Sequence, residues 1–270
     1  MRLLLIGDIV GSTGRRMLKT LLPDLRKKYS LDWVIANGEN ATGGTGLSPK
    51  HRDEILAADV DLITGGNHFF ARPDWTEMLE TSSKVIRPHN IGGDDFPGKG
   101  WTVLRNDKKP HLGVINLAGR VFMEHWDCPF RWATNLVDRI GIHPIIIDLH
   151  AEATSEKIAM AMFLDGKISF LAGTHTHVQT SDERILKGGT GMICDLGMTG
   201  PLDGILGVKA NSVIHRFLDG YSERFICSDG PGVLEGVLVE IAENFKCSRI
   251  RRIRVHENGS TEKSFLPEDF

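Results

Sequence analysis

Cysteine is scarce in this chain: four occur among 270 residues, and none forms a Cys-x-x-Cys pair. Cys128, Cys194, Cys227 and Cys247 therefore offer neither a disulfide frame nor a zinc knuckle, and read as reduced thiols of a cytoplasmic protein. Long apolar runs are missing too. None approaches the ~20 residues of a membrane helix, so no membrane association is expected. At the amino end the unbroken run is only Leu3 to Ile6, and Asp8 follows closely. That is shorter than the roughly 7–15 residues of a signal-peptide core, so it reads as a first β-strand. Nor is one sign of charge in excess: 32 basic and 35 acidic side chains leave a formal net charge of −3. A dedicated duplex-DNA binder usually carries a clear basic surplus; small anionic substrates stay open. Repeats, low-complexity tracts and Pro/Ser-rich linkers are absent, so nothing forces a domain boundary.

What is present is ordinary globular composition, with 41% hydrophobic and 25% charged residues. At this length folding buries roughly 70–75% of the unfolded surface, enough for one sizeable core. Short apolar runs alternate with helix-like segments, the pattern of a layered α/β fold. The predicted strands are Leu3–Ile6, Trp33–Ala36, Leu62–Thr64, Leu112–Leu117, Pro144–Leu149 and Ser169–Ala172. Met17, Leu18, Leu21, Leu22 and Leu25 recur at helical spacing and mark one buried face. Pro23 inside that stretch is expected to kink or restart the helix. Ser48-Pro49 supplies an N-cap and a first-turn proline for a second helix, and a third is predicted near Ser155–Leu164.

After about residue 182 the texture changes. Ile185, Met192-Ile193, Val237–Ile241 and Ile250–Val255 read as strands, with a helix over Val208–Leu218. These are expected to form a second sheet packed on the first. Gly92–Lys109 is polar and turn-rich, and Arg120–Trp132 is aromatic and irregular. Parts of 92–135 therefore suit a small cap or rim on one domain spanning 1–270.

The metal-capable side chains fall at strand ends. Leu3–Ile6 is followed by Gly7-Asp8, Trp33–Ala36 by Asn37-Gly38-Glu39-Asn40, and Leu62–Thr64 by Gly65-Gly66-Asn67-His68. Pro144–Leu149 ends in His150, and Ser169–Ala172 leads to Gly173-Thr174-His175-Thr176-His177. If these strands are parallel, their polar tips converge on one crevice beyond the carboxyl edge of the sheet. In the His175-x-His177 pair, alternate residues of an extended segment would point the same way. Mixed oxygen and imidazole donors without thiolate suit Mn, Fe, Zn or Co rather than Ca or a structural zinc. Asp8, Glu39, Asn40, Asn67, His150, His175 and His177 are too many for one four-coordinate ion and appropriate for two, with a carboxylate such as Glu39 as the bridge. Two ions about 3.5–4 Å apart clamp a phosphoryl group for in-line displacement, which points to a dinuclear phosphoesterase.

The motifs Gly7-Asp8, Gly66-Asn67-His68 and Gly173–His177 resemble those of calcineurin-like metallophosphoesterases. Within that superfamily, IGDIVG at 6–11, NGEN at 37–40, GTHTHVQTSD at 173–182 and DLGMTGP at 195–201 resemble the YmdB-like bacterial phosphodiesterases. The resemblance implies a four-layer αββα sandwich, with two packed mixed sheets flanked by helices. It implies two transition-metal ions, Fe or Mn favoured. One would be held by Asp8, Glu39, Asn40 and His177, and the other by Glu39, Asn67, His150 and His175. It further implies hydrolysis of a small phosphodiester, 2′,3′-cyclic nucleotides favoured, by a metal-bound hydroxide with His68 as general acid. A homo-oligomer is expected on the same ground.

Two departures stand out. The wider superfamily opens with Asp-x-His, whereas Val10 occupies the histidine position, a feature shared by the YmdB-like proteins. After the Gly-Asn-His motif this chain carries Phe69-Phe70-Ala71-Arg72-Pro73, for which core packing and base stacking are both open readings. Gly43-Gly44-Thr45-Gly46 reads as a flexible turn or as backbone N–H groups offered to a phosphate. Arg249–Val255 reads as a charged edge strand or, less well, as an RNA contact. His51, His89, His111, His125, His143, His215 and His256 lie outside the motifs and are expected at surface or packing positions. The rival functions are a metal-dependent nuclease on RNA or DNA, and a regulator that acts mainly through binding.

Overall fold

The computed structural model describes residues 1–220 and 225–260. The chain begins with β1 (Arg2–Ile6) and the short β2 (Asp8–Ile9), then passes through α1 (Gly11–Tyr29), β3 (Trp33–Asn37), α2 (Pro49–Ala57), β4 (Leu62–Thr64) and α3 (Trp75–Glu80). A hairpin of β5 (Trp101–Asn106) and β6 (Lys109–Ala118) precedes α4 (Pro129–Ile140), β7 (Ile145–His150), α5 (Thr154–Phe163) and β8 (Phe170–Thr174). There follow β9 (Arg184–Ile185), β10 (Gly191–Ile193), β11 (Met198–Pro201), α6 (Ala210–Asp219), β12 (Gly232–Ile241) and β13 (Cys247–His256). All four cysteines are free thiols, and no described helix is long and apolar enough to cross a membrane.

Period-two alternation along the strands decides the layers. Leu4, Ile6, Val34 and Ala36 pack with Met17, Leu18 and Leu22 of α1 on one face of the first sheet. Their neighbours Leu3, Leu5, Trp33 and Ile35 face the other way, onto Val114, Ile146, Phe170 and Ala172 of the second sheet. Ile115, Ile147 and Leu149 turn outward onto Ala133 and Leu136 of α4 and Met160 and Ala161 of α5. Each fully buried aliphatic side chain of this kind contributes about 1.5–3 kcal/mol. The product is the expected αββα sandwich of two mixed sheets flanked by helices.

The allocation of strands to sheets differs from the expectation. The first sheet runs β2-β11-β12-β1-β3-β4 with β13 along β12, and the second runs β5-β6-β7-β8-β10-β9. Strands after residue 182 thus do not make a sheet of their own. β12 lies antiparallel beside β1, with Leu4 opposite Leu238, while β10 extends the second sheet from β8. Alternation tells which face of a strand is buried but not which strand supplies its hydrogen bonds. One local reading also changes. α1 continues through Pro23 as one helix, its buried face anchored by Met17, Leu18, Leu21, Leu22 and Leu25 and its end closed by Ser30 in a left-handed conformation. Within 92–135, residues 101–118 form β5 and β6, and Pro129 opens α4.

The segment after β4 is fixed by one buried cation. Arg87 is fully buried and donates to the carbonyl oxygens of Pro88, His89, Ile91, Gly93, Phe96 and Pro97. Its neighbour His89 is buried edge-on against Trp132. Burial, and then the Arg87 charge, push this imidazole from its ordinary 6.5 down to about 4, with Asp94 opposing and Arg139 adding to the shift. The unfolded chain therefore binds the extra proton first as pH falls, and stability is lost between about pH 6.5 and pH 4. Melting temperatures measured from pH 7.5 to pH 5 are expected to decline, and the decline is expected to shrink in a His89→Phe protein. An unchanged slope would show that other groups carry it.

Candidate metal centre

The parallel strands β1, β3 and β4 end side by side in one sheet, and β7 and β8 do so in the other. Their tips meet across the sandwich, where Asn37 Nδ2 at the end of β3 lies 3.3 Å from Asp148 Oδ2 and 3.4 Å from Thr174 Oγ1. All eight residues singled out from the strand tips gather at this edge. Asp8, Glu39, Asn40 and His150 are buried. His68 sits in a short 3-10 turn after Asn67.

One nitrogen marks the first focus. His150 Nε2 lies 3.0 Å from Asn67 Oδ1, 3.0 Å from His175 Nδ1 and 3.2 Å from Glu39 Oε1. An imidazole nitrogen makes one hydrogen bond, so three heteroatoms around it have no neutral explanation. Such spacing is that of neighbouring ligands about a first-row ion, whose bonds to N and O are about 2.0–2.2 Å. Glu39, His150 and His175 each offer an atom within 4.8 Å of the others. At the second focus, Asn40 Nδ2 lies 3.1 Å from His177 Nε2, and Asp8 Oδ1 lies 3.9 Å from the same nitrogen. Asp8 Oδ1 is buried with no hydrogen-bond partner, and a buried carboxylate oxygen left bare calls for a cation. Glu39 Oε1 reaches both groups, accepting from Asn40 Nδ2 at 3.0 Å; an amide N–H carries no free lone pair, so Asn40 would ligate a cation through Oδ1. The donors fit a metal centre.

The electrostatics match a site built for positive charge. Burial opposes ionisation of Glu39, yet His150 and His68 hold its carboxyl well below the usual range. Burial lifts Asp8 to about 6 against the pull of His177 and His150. Burial works against a charged His150, but Glu39, Asp8 and Asp148 raise it to about 9. Burial, and then His150, push His175 down to about 3, which keeps a lone pair free.

Backbone geometry delivers the two histidines differently from the expectation. β8 ends at Thr174, and His175 and His177 lie beyond it at φ of 104° and 63°. They converge through a left-handed turn and not through strand alternation. Three acceptors hold that turn. Asp8 Oδ2 accepts from the His175 N–H at 3.1 Å, Asp195 Oδ2 from the Thr176 N–H at 3.0 Å, and the Leu206 carbonyl faces His177 Nδ1 at 3.1 Å. At Gly66 any Cβ would collide with Glu39 Oε2 and His150 Nε2, so the loop is glycine to let these donors in.

Several supporting residues were not singled out from the sequence. Thr174 Oγ1 lies 2.9 Å from His150 Nδ1 and donates to Asp148 Oδ1 at 2.8 Å, which turns His150 Nε2 toward the centre. Glu152 Oε2, 3.1 Å from His175 Nε2, does the same for His175 Nδ1. The one available signal was Asp148 itself, a lone acid within the apolar IIIDLH run. Phe69 is fully buried in the core, and the half-buried Phe70 packs against it, edge-on to Trp75 and Phe96. β13 pairs with β12 alone, as an edge strand. Arg252 binds Glu183 and Arg254 binds Glu235. Gly43, Gly44 and Gly46 form a turn with φ of 63°, 88° and 80° at the rim of the site.

Residues 4–253 match the family model described as YmdB-like protein. The chain belongs to the YmdB-like family. It is 42% identical over 261 residues to a protein of Bacillus subtilis (strain 168) named 2′,3′-cyclic-nucleotide 2′-phosphodiesterase, covering 96% of this chain and 98% of that one. Two solved structures show the same YmdB-like fold over its length. A hypothetical protein from Thermus thermophilus is 36% identical with a TM-score of 0.89, covering 95% of this chain and 100% of that one. A phosphatase from Mycoplasma pneumoniae is 34% identical with a TM-score of 0.89, covering 95% and 93%.

Proposed function

We propose that this YmdB-like protein hydrolyses 2′,3′-cyclic nucleotides with the aid of two transition-metal ions, Fe or Mn favoured. Asp8, Glu39, Asn40 and His177 would hold one, and Glu39, Asn67, His150 and His175 the other. The observation that carries this reading is the donor cluster opening into a cavity of about 370 Å³, in a chain 42% identical to an enzyme of that name. Bound there, two cations supply Lewis-acid charge to the phosphoryl oxygens and a nucleophile at neutral pH.

The chain's own contribution is placement and a proton. His68 lines the cavity, and its Nδ1 is anchored 3.1 Å from Asn40 Oδ1 and 3.2 Å from Glu39 Oε1. That leaves Nε2 to protonate the departing ribose oxygen as the P–O bond breaks. Proton transfer of this kind contributes typically ~10²–10⁴-fold. The His68→Ala protein is accordingly expected to lose about 10²–10⁴-fold in kcat while keeping its metal content. Steady-state rates beside elemental analysis check this, and wild-type kcat in the variant would remove His68 from the proton path.

The test of the whole reading is a substrate panel on protein reconstituted anaerobically with Mn or Fe. It holds a 2′,3′-cyclic mononucleotide, a cyclic dinucleotide and a short RNA. Preferred turnover of the mononucleotide with close to two metals per chain is expected. Preference for RNA would make the protein a nuclease, and full activity without metal would end the proposal.

A further inference from the structure

We infer that the apolar part of the same cavity, built by Val10, Leu206, Val208, Phe225 and Cys227, is the subsite for the nucleobase of the substrate. This rests on the phosphodiesterase reading and extends it from the scissile ester to the rest of the ligand. The cavity is lined by the donors Glu39, Asn40, His68, His175 and His177 and by these five uncharged side chains, with Glu152, Thr176 and the 43–45 turn completing it. In a 2′,3′-cyclic nucleotide the base and the cyclic phosphate share one ribose. A ligand whose phosphate reaches the donors therefore carries its base one sugar away, within the same enclosure. A planar, uncharged, apolar-faced group suits these five side chains, and every nucleobase presents such a face.

The wall is built rather than incidental. Val208 forms isolated β-bridges with Ile205 and with Cys227. The Lys209 N–H donates to the Ile226 carbonyl at 2.9 Å, and the Ser228 N–H to the Gly207 carbonyl at 2.8 Å. Leu206 is held at φ 50°, a left-handed conformation that a branched side chain disfavours. Its carbonyl faces the ring nitrogen Nδ1 of His177, while its side chain stays 48% exposed. One strained residue thus fixes a metal donor and the apolar wall in a common register, as strain at ligand sites does. Phe225, 41% exposed, lines this cavity, with the Arg216 guanidinium 5.4 Å from its ring centroid and outside the lining, so that one face of the ring serves the cavity. Phe69 and Phe70 do not line it, being packed in and against the core. Phe217 and Leu218 of α6 are also exposed but lie outside the cavity lining.

The test compares 2′,3′-cyclic AMP with glycerol 1,2-cyclic phosphate, the same five-membered cyclic diester without a base. The metal-loaded protein is expected to favour the nucleotide at least about tenfold in kcat/KM, mainly through KM. That ratio is expected to fall about tenfold in Phe225→Ala. It should also fall in Leu206→Asn, where asparagine accepts the left-handed backbone and metal analysis shows whether His177 still holds its ion. Equal kcat/KM for the two substrates, or a ratio unmoved in both variants, overturns the subsite. A change of oligomeric state by light scattering with an unmoved ratio would make the wall an interface between copies of the chain, and also overturns it. If neither ester is hydrolysed, the phosphodiesterase reading fails, and calorimetry then judges the subsite by itself. Adenosine 3′-monophosphate must bind at least about tenfold more tightly than glycerol phosphate and lose that margin in Phe225→Ala, or the subsite is discarded.

Discussion

The Glu39→Gln protein is expected to hydrolyse a 2′,3′-cyclic nucleotide at least about 10³-fold more slowly than the wild type and to bind less metal. The substitution keeps shape and volume and removes one charge from a fully buried position. Glu39 Oε1 is the atom that both donor groups share, 3.2 Å from His150 Nε2 and 3.0 Å from Asn40 Nδ2. Glu39 Oε2 accepts from the His68 N–H at 3.0 Å, a bond that an amide group turned the wrong way forfeits. A loss of 10³-fold corresponds to about 4 kcal/mol at about 1.36 kcal/mol per decade. A metal centre's share of transition-state charge stabilisation is several kcal/mol, so that loss is within its reach. The fold itself should survive. His150 is drawn to about 9 chiefly by Glu39 working against burial, and without that carboxylate the ring can stay neutral. Steady-state kinetics, elemental analysis and a melt of the chelated protein separate the outcomes. Wild-type turnover in Glu39→Gln would show that the shared carboxylate does not organise the centre.

The sequence disclosed the site more fully than the topology, and for a physical reason. Polar residues that can serve a site cluster where strands stop, so Asp8, Glu39, Asn67, His150 and His175 each stand beside a short apolar run. Strand pairing leaves no comparable local mark. Nothing in VLVEI at 237–241 shows that it will lie against Leu3–Ile6 from the opposite end of the chain, as it does. The helix α4 is obscured because its first turn, from Pro129, falls inside the aromatic stretch Arg120–Trp132. Its buried face, Pro129, Ala133, Leu136 and Ile140, recurs at helical spacing. The His175–His177 segment forms a left-handed turn where alternation is expected, since a positive φ at a non-glycine residue is imposed by tertiary bonds. The polar groups behind the donors were hidden for a similar reason. Asn37, Asp148 and Thr174 make sense only once the tip of β3 meets those of β7 and β8 across the sandwich.

One of those tertiary bonds leads to the largest expected loss of stability. Lys157 on α5 and Asp195 form an ion pair with Nζ 2.9 Å from Oδ2, their side chains 0% and 1% exposed. The Lys157→Met protein keeps the packing of the aliphatic stem and strands the carboxylate. Breaking a buried pair from one side costs about 3–5 kcal/mol, because the remaining charge is left uncompensated. For a chain of this size that is a fall in melting temperature of roughly 6–20 °C, at about 2–4 °C per kcal/mol. The pair is therefore not required for stability as such; what matters is that neither charge stands alone. The Lys157→Met, Asp195→Asn double substitution should recover most of the loss, since an asparagine carbonyl can still accept a backbone N–H. Asp195 matters to the site because its Oδ2 accepts from the N–H of Thr176, between the two histidines, and its Oδ1 accepts from the Gly197 N–H at 2.9 Å. Thermal melts of the two single variants and the double variant form a cycle in which the coupling should exceed about 1 kcal/mol. If the single Lys157→Met protein melts like the wild type, Asp195 is not held by that lysine, and the histidine turn takes its rigidity from Asp8 and Leu206 instead.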